Sequence, residues 1–359
     1  DTSVRSRNWF QLFWNTASIQ GEFTLKNKSK LNFYTAYTFS DRNSVGFLKP
    51  LSVLDTINTS TGQYATRQVD VDHYLTQSTE VRWMNYYKIA GVQQTWTLGA
   101  RLCNSEIGRK QQGVGTTGTA FDISVKPDNA GNAFPKELQL GTQNAALFGE
   151  HLFRIGKRAS ITPGFRFEYL ANQLSGRTNN VTGGILAKQE KTRMILLGGI
   201  SSTFSLVQKE RMNWSLYGNA TQNYRPVMYS ELIPSSTTEV VDPNMKDVHG
   251  YTTELGTKGI FSSRHGQLSF DLNAFYLVYN GKIGSLTVNN APYKTNIGDV
   301  VSKGIELYGE YTFFNPFSKE AAASEQLSVY VSGTLQSAEY VRWNNPLLAQ
   351  DPATSIQGK

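Results

Sequence analysis

Apolar and polar residues alternate along this chain with a period of two, in stretches of about ten residues running from Ser18 to Gln336. The clearest stretch is Gln267–Asn280. Leu268, Phe270, Leu272, Ala274, Tyr276 and Val278 fall on one face, while Gln267, Ser269, Asp271 and Asn273 fall on the other. Asn213–Arg225 sets Trp214 and Leu216 against Ser215, Tyr217, Asn219 and Arg225, and Gln94–Ser105 sets Trp96, Leu98 and Leu102 against Thr95, Thr97 and Arg101. Ala159–Ala171 and Leu327–Gln336 repeat the pattern, and about twelve strands can be placed in all.

The connections alternate in length. Lys26–Lys30, Ile89–Val92, Ile155–Lys157, Val207–Met212 and Ser262–Gly266 are predicted as tight polar turns. Between them lie predicted long loops at Asp41–Ser78, Glu106–Gln143, Gln173–Glu190, Pro226–Val248 and Gly281–Val300. An antiparallel meander with this spacing gathers every long loop at one end. A soluble sandwich has no reason to do so, whereas a transmembrane β-barrel does. The predicted fold is therefore all-β, a transmembrane antiparallel up-and-down barrel. Its apolar faces would meet lipid, where a charge costs about 2–4 kcal/mol at mid-membrane. The opposite faces carry Glu80, Arg82, Arg101, Glu150, Arg154, Arg166, Glu168, Glu254, Lys258, Asp271, Glu306 and Glu310.

Composition supports this reading. Aromatic residues make up 12% of the 359 positions, with 18 Tyr, 19 Phe and 6 Trp, and Tyr and Trp collect at strand ends as interfacial girdles do. Mean hydropathy is −0.38, and no run is long and apolar enough for a membrane helix. Barrel strands bury only alternate residues, so this leaves a strand-built membrane protein open. Cys103 is the only cysteine, which rules out an internal disulfide and a thiolate metal cage. The four histidines have no ligand spacing, and no metal site or cofactor is predicted. The net charge of +7 favours anionic partners. Lys and Arg are spread over turns and loops rather than clustered, which argues against nucleic acid.

Several motifs read as structure rather than chemistry. Gly256, Gly304 and Gly309 lie inside strands, where bends or aromatic packing explain them. The glycine-rich stretch Lys110–Asp122 has no GK[ST] and reads as an external loop. Glu306 and Glu310 on one strand face would stand about 13 Å apart, too far for a catalytic pair, and read as salt-bridge partners. Asp70–Asp72 with His73 reads as a solvated loop. No nucleophile elbow is present, and the chemistry expected is binding, not catalysis.

One region is more specific. NYRPVMYSELIPSSTTEVVDPNMKD at Asn223–Asp247, followed by GYTTELGTKG, resembles the TonB-dependent outer-membrane receptors. FYLVYNGKIGSL and TNIGDVVSKGIELYGEYTF further along are similar to a strand pair of those receptors. SRNWFQLFWN and DRNSVGFL are similar to the ferric-citrate and siderophore branch in its Bacteroidetes-like form. The resemblance implies a barrel of 22 strands in the outer membrane of a Gram-negative bacterium, of which residues 1–359 would be a partial barrel domain. No plug-like domain precedes the first strand, and the chain stops at Lys359 where another long loop is expected.

The resemblance also implies an anionic ferric chelate as ligand, with outer-membrane lipid and lipopolysaccharide around the barrel. Coupling to TonB–ExbB–ExbD would run through a plug and N-terminal region absent from this sequence. Two alternatives stay open: a barrel subunit of a larger surface or secretion complex, and a glycan- or peptide-importing receptor of the same family. A citrate-like ligand needs converging guanidinium forks. Arg42, Arg101, Arg109, Arg177 and Arg225, near predicted outer strand ends or in long loops, are the candidate ligand-binding residues.

Overall fold

A computed structural model describes residues 5–181, 183–314, 326–344 and 355–358. Twelve long antiparallel strands form one sheet, each bonded to its sequence neighbour. They are β1 (Trp9–Thr24), β2 (Lys30–Gly46), β3 (Gln68–Ile89), β4 (Val92–Val114), β5 (Lys136–Ile155) and β6 (Ala159–Arg177). β7 (Ile185–Lys209), β8 (Met212–Arg225), β10 (Val248–Ser262), β11 (Gly266–Val288), β12 (Ala291–Phe314) and β13 (Gln326–Trp343) complete the series. Between β8 and β10 lie a one-turn helix α1 (Tyr229–Leu232) and the two-residue strand β9 (Val240–Val241), which pairs in parallel with β12. Among the described residues β1 and β13 do not pair, so the sheet is open.

The register places all twelve predicted polar-face charges on one side. Gln20, Tyr34, Glu80, Arg101, Ala146 and Glu168 are successive cross-strand partners. Asn219, Glu254, Phe275, Gly304 and Gln336 continue that side across the other half. This side is called inward below. The outward side carries Leu31, Trp83 and Leu98 as one row of partners, and Trp214, Gly259, Phe270, Gly309 and Val331 as another.

Outward aromatic residues cluster at the short-turn end. Trp83 meets Trp96 edge-on at 4.6 Å, Phe261 stacks on Phe270 at 5.7 Å, and Tyr311 meets Phe313 at 4.6 Å. Towards the other end Phe13 packs on Phe39 and Tyr251 on Tyr276. Outward charged contacts start at that far level, with Asp41 against His73 and Lys303 paired with Glu339. Charges are thus kept off the apolar band between the two girdles, as lipid demands.

Two expectations about the loops change. The strands run from 14 to 25 residues, well beyond the 9–11 that span a bilayer. Gln173–Glu190 is mostly strand, paired out to Arg177 and Ile185. Gly281–Val300 is not a loop at all: β11 and β12 continue through it to a two-residue turn at Asn289 and Asn290. Both asparagines have positive φ, 51° and 60°, the conformation a tight hairpin turn requires and asparagine tolerates. Past the membrane both strand faces meet water, so the apolar alternation stops while the backbone ladder goes on.

Two strand glycines have the packing role expected of them. A Cβ on Gly256 would come within 2.5 Å of the Tyr217 ring, and one on Gly304 within 2.7 Å of Phe275. Both rings lie across the inward face. Gly309 carries no such ring: a Cβ there would meet only Val331, at 3.9 Å.

Candidate functional site

At the long-loop end, the segment between β8 and β10 folds inward over the mouth. The Tyr229 hydroxyl reaches Thr142 at 2.8 Å, accepts from Asn172 at 3.2 Å, and donates to the Gly141 carbonyl. Tyr229, Leu232 and Ile233 pack on a buried cluster of Leu138, Leu140, Leu174 and Leu186, which covers inward apolar groups that water would otherwise reach. On the opposite flank, Lys294 of β12 pairs with Glu239 at 3.1 Å and donates to the Ser230 and Ile233 carbonyls. The segment is therefore strapped to β5 and β6 on one side and to β12 on the other. Beneath it lies a cavity of about 680 Å³, lined in part by Asn172, Lys191, Arg193, Tyr229 and Asp242.

Asp247 anchors the strap. Arg193 donates to both of its oxygens, at 2.5 and 2.9 Å, the Tyr224 hydroxyl donates at 2.6 Å, and the Val227 N–H at 2.9 Å. Burial disfavours the charged carboxylate, but these donors outweigh it and hold the pKa down at about 2. At Glu239 burial likewise opposes ionisation. The Ser235 N–H and Lys294 overcome it, and the carboxyl sits below its ordinary range.

Arg42, Arg101, Arg109 and Arg225 face inward, Arg177 falls on the outward side at the end of β6, and the five do not converge on one point. Arg42 and Arg109 lie inside β2 and β4, not at a strand end or a loop start, and meet at Asp72 between them. Arg42 contacts that carboxylate at 2.7 Å and Arg109 at 3.4 Å. Asp72 is fully buried, which corrects the reading of Asp70–Asp72 as a solvated loop: all three residues belong to β3.

Arg177 ends β6, binds Glu137 at 2.9 Å, and donates to the Phe134 carbonyl and to Asn132. Arg225 ends β8 and forms a fork-to-fork pair with Glu231 at 2.7 and 3.0 Å, with its Nε donating to the Tyr279 hydroxyl at 2.7 Å. Arg101 differs. It sits mid-wall, donates to the Ser78 hydroxyl at 3.2 Å, and has no carboxylate partner among the described residues. Glu80, its cross-strand neighbour, is taken by Arg82 at 2.5 Å. Arg101, Arg82, Glu80, Tyr34, Asn32 and Gln20 line a recess of about 620 Å³.

Sequence reasoning missed Asp247, Arg193 and Tyr229. Arg193 and Asp247 are 54 residues apart, and only the fold brings them together. Glu306 and Glu310, read as salt-bridge partners, take neutral donors instead: Asn273 at 3.2 Å and Tyr308 at 2.6 Å, with no arginine near them among the described residues. No group of metal-ligating side chains occurs among the described residues.

An antiparallel wall with an aromatic-girdled apolar face, a charged inner face and long folded loops at one end has the architecture of an outer-membrane β-barrel wall. The chain belongs to the TonB dependent receptor-like β-barrel family, whose profile matches residues 2–352. Its members are transporters of the Gram-negative outer membrane, not enzymes. Among solved structures, the chain is similar to the unliganded ferric citrate transporter FecA, with 18% identity and a TM-score of 0.67 over 95% of this chain and 44% of that one.

It is also similar to the ferric-catecholate import receptor Fiu from E. coli K12, with 12% identity and a TM-score of 0.66 over 98% and 50%. The RagAB peptide importer follows, with 11% identity and a TM-score of 0.61 over 95% and 38%. At these identities the likeness is one of fold. The chain spans half or less of the length of each of these structures. No curated protein matches it in direct sequence comparison.

Proposed function

We propose that the chain forms part of the wall of an outer-membrane receptor that captures a scarce anionic ferric chelate, such as citrate or a carboxylate siderophore. Import is energised by TonB with ExbB and ExbD, acting through a plug inside the completed barrel. The observation that carries this reading is Arg101, an inward guanidinium with a hydroxyl as its hydrogen-bond partner and a recess in front of it. A planar fork of donors without a carboxylate is suited to bidentate capture of one. Arg42 and Arg109 supply further positive charge towards the mouth, while Arg177 and Arg225 shape the loops through Glu137 and Glu231. The net charge of +7 adds long-range attraction for an anion. The ferric citrate and ferric-catecholate receptors among the similar folds support the same ligand class.

Peptide import is the second reading. The RagAB likeness and the leucine cluster at the mouth favour it. Equilibrium titration of the purified full-length receptor with ferric citrate separates the two. Arg101→Ala is expected to weaken binding more than tenfold, about 1.4 kcal/mol, with Arg101→Lys intermediate. An unchanged affinity removes Arg101 from the site. A wild type that ignores ferric citrate and binds a peptide supports the second reading.

A further inference from the structure

Asp72 has no part in capture on charge alone: it is an anion on a wall proposed to attract anions. Yet its side chain is completely buried on the inward face, at the level where outward Asp41 and His73 mark the end of the lipid band. A buried carboxylate is costly unless its environment answers its charge. Here the answer comes from two strands. Arg42 of β2 and Arg109 of β4 are its cross-strand neighbours on either side. Arg42 reaches Oδ2 at 2.7 Å, the Tyr74 hydroxyl donates to that same oxygen at 3.2 Å, and Arg109 approaches Oδ1 at 3.4 Å. Tyr74 in turn accepts from Arg109 at 3.3 Å.

The network is incomplete in a particular way. Asp72 Oδ1 and Arg109 Nε are buried without a hydrogen-bond partner, as is the hydroxyl of fully buried Ser40 beside them. The two arginine side chains remain 40% and 31% exposed, and Arg42 has no other ion-pair partner among the described residues. Lys136 adds a third inward cation: partial burial and the nearby Arg109 charge disfavour its protonated form. The arrangement spends one buried negative charge to hold two long side chains side by side, with part of each fork free.

We propose that Asp72 is a positioning residue: it clamps Arg42 and Arg109 into a fixed pair whose free edges take the carboxylate groups of an anionic chelate at the mouth. This rests on the chelate reading above. Two fixed forks lose less side-chain freedom on binding than two mobile ones, so the gain lies in preorganisation.

The test sets charge against geometry. Asp72→Asn removes a negative charge from the mouth, so simple electrostatics makes an anion bind more tightly. Preorganisation makes it bind more weakly. Stopped-flow binding of ferric citrate to the full-length receptor should give an on-rate unchanged or faster, because steering follows net charge. The off-rate should rise at least tenfold, and Asp72→Glu should recover part of the loss. Tyr74→Phe, which removes the hydroxyl bridging Asp72 and Arg109 but no charge, should raise the off-rate two- to fivefold. It also serves as the readout where Asp72→Asn does not fold. Equal or tighter binding by Asp72→Asn, with wild-type binding intact, overturns the positioning role and leaves the chelate reading standing. Failure of the wild type to bind ferric citrate overturns both.

Discussion

Asp247→Asn is the substitution that most directly tests the strap over the mouth. The amide oxygen can still accept from the Val227 N–H and the NH2 group can donate to a turned Tyr224 hydroxyl, but Arg193 loses its counter-charge. The Arg193 side chain is 6% exposed, with Asn172 and the Lys191 carbonyl as its remaining acceptors. Stranding one member of a buried ion pair costs about 3–5 kcal/mol. Arg193 stays anchored in the wall, so the cost falls on closure of the segment between β8 and β10, not on the sheet. At the lower figure of about 3 kcal/mol, the open population rises roughly a hundredfold.

Hydrogen exchange followed by mass spectrometry should therefore show faster exchange in peptides covering 229–245, with β8 and β10 unchanged. Acid should act in the same direction. The Asp247 carboxyl lies at about 2 when folded against 3.8 when free, so its contribution is complete above about pH 4 and disappears as pH falls through 2. Unchanged protection in the variant, or loss of protection throughout the sheet, refutes the strap.

Other outcomes follow from the packing of the wall. Gly256→Ala should cost about 1–3 kcal/mol by displacing the Tyr217 ring, whose hydroxyl donates to Asp271 at 2.6 Å, and should lower the thermal unfolding transition. Gly309→Ala, with open space around it, should leave that transition unchanged. Spin labels at positions 270 and 271 should report lipid and water respectively, since Phe270 faces outward and Asp271 inward; the reverse result contradicts the assigned facing.

The membrane-spanning part of the wall was legible because lipid imposes a strict demand on every second residue. Leu268, Phe270 and Leu272 against Ser269, Asp271 and Asn273 show it plainly, and the register bears the assignment out. Where the wall leaves the membrane the demand ends. Lys282, Ser285, Thr287 and Lys294 carry no alternation, so a paired hairpin looked like a loop. Asn289–Asn290 was the available signal, a pair of residues suited to positive φ midway along the segment.

The site was less legible. The charged character of the inward face and the inward position of Arg101 could be read from spacing. The burial of Asp72 could not, because it depends on arginines from two neighbouring strands. Nor could the union of Arg193 with Asp247, which carry no local signal for each other. Arg225 and Glu231 lie close in sequence, and their pairing was open to inspection.

The central claim is capture and import of an anionic ferric chelate. Its most direct measurement is uptake of radio-iron citrate by iron-starved cells expressing the full-length receptor, with and without functional TonB. The account predicts accumulation that requires both the receptor and TonB and that falls with Arg101→Ala. Accumulation independent of TonB, or growth on a peptide through the receptor with no iron taken up, would contradict it.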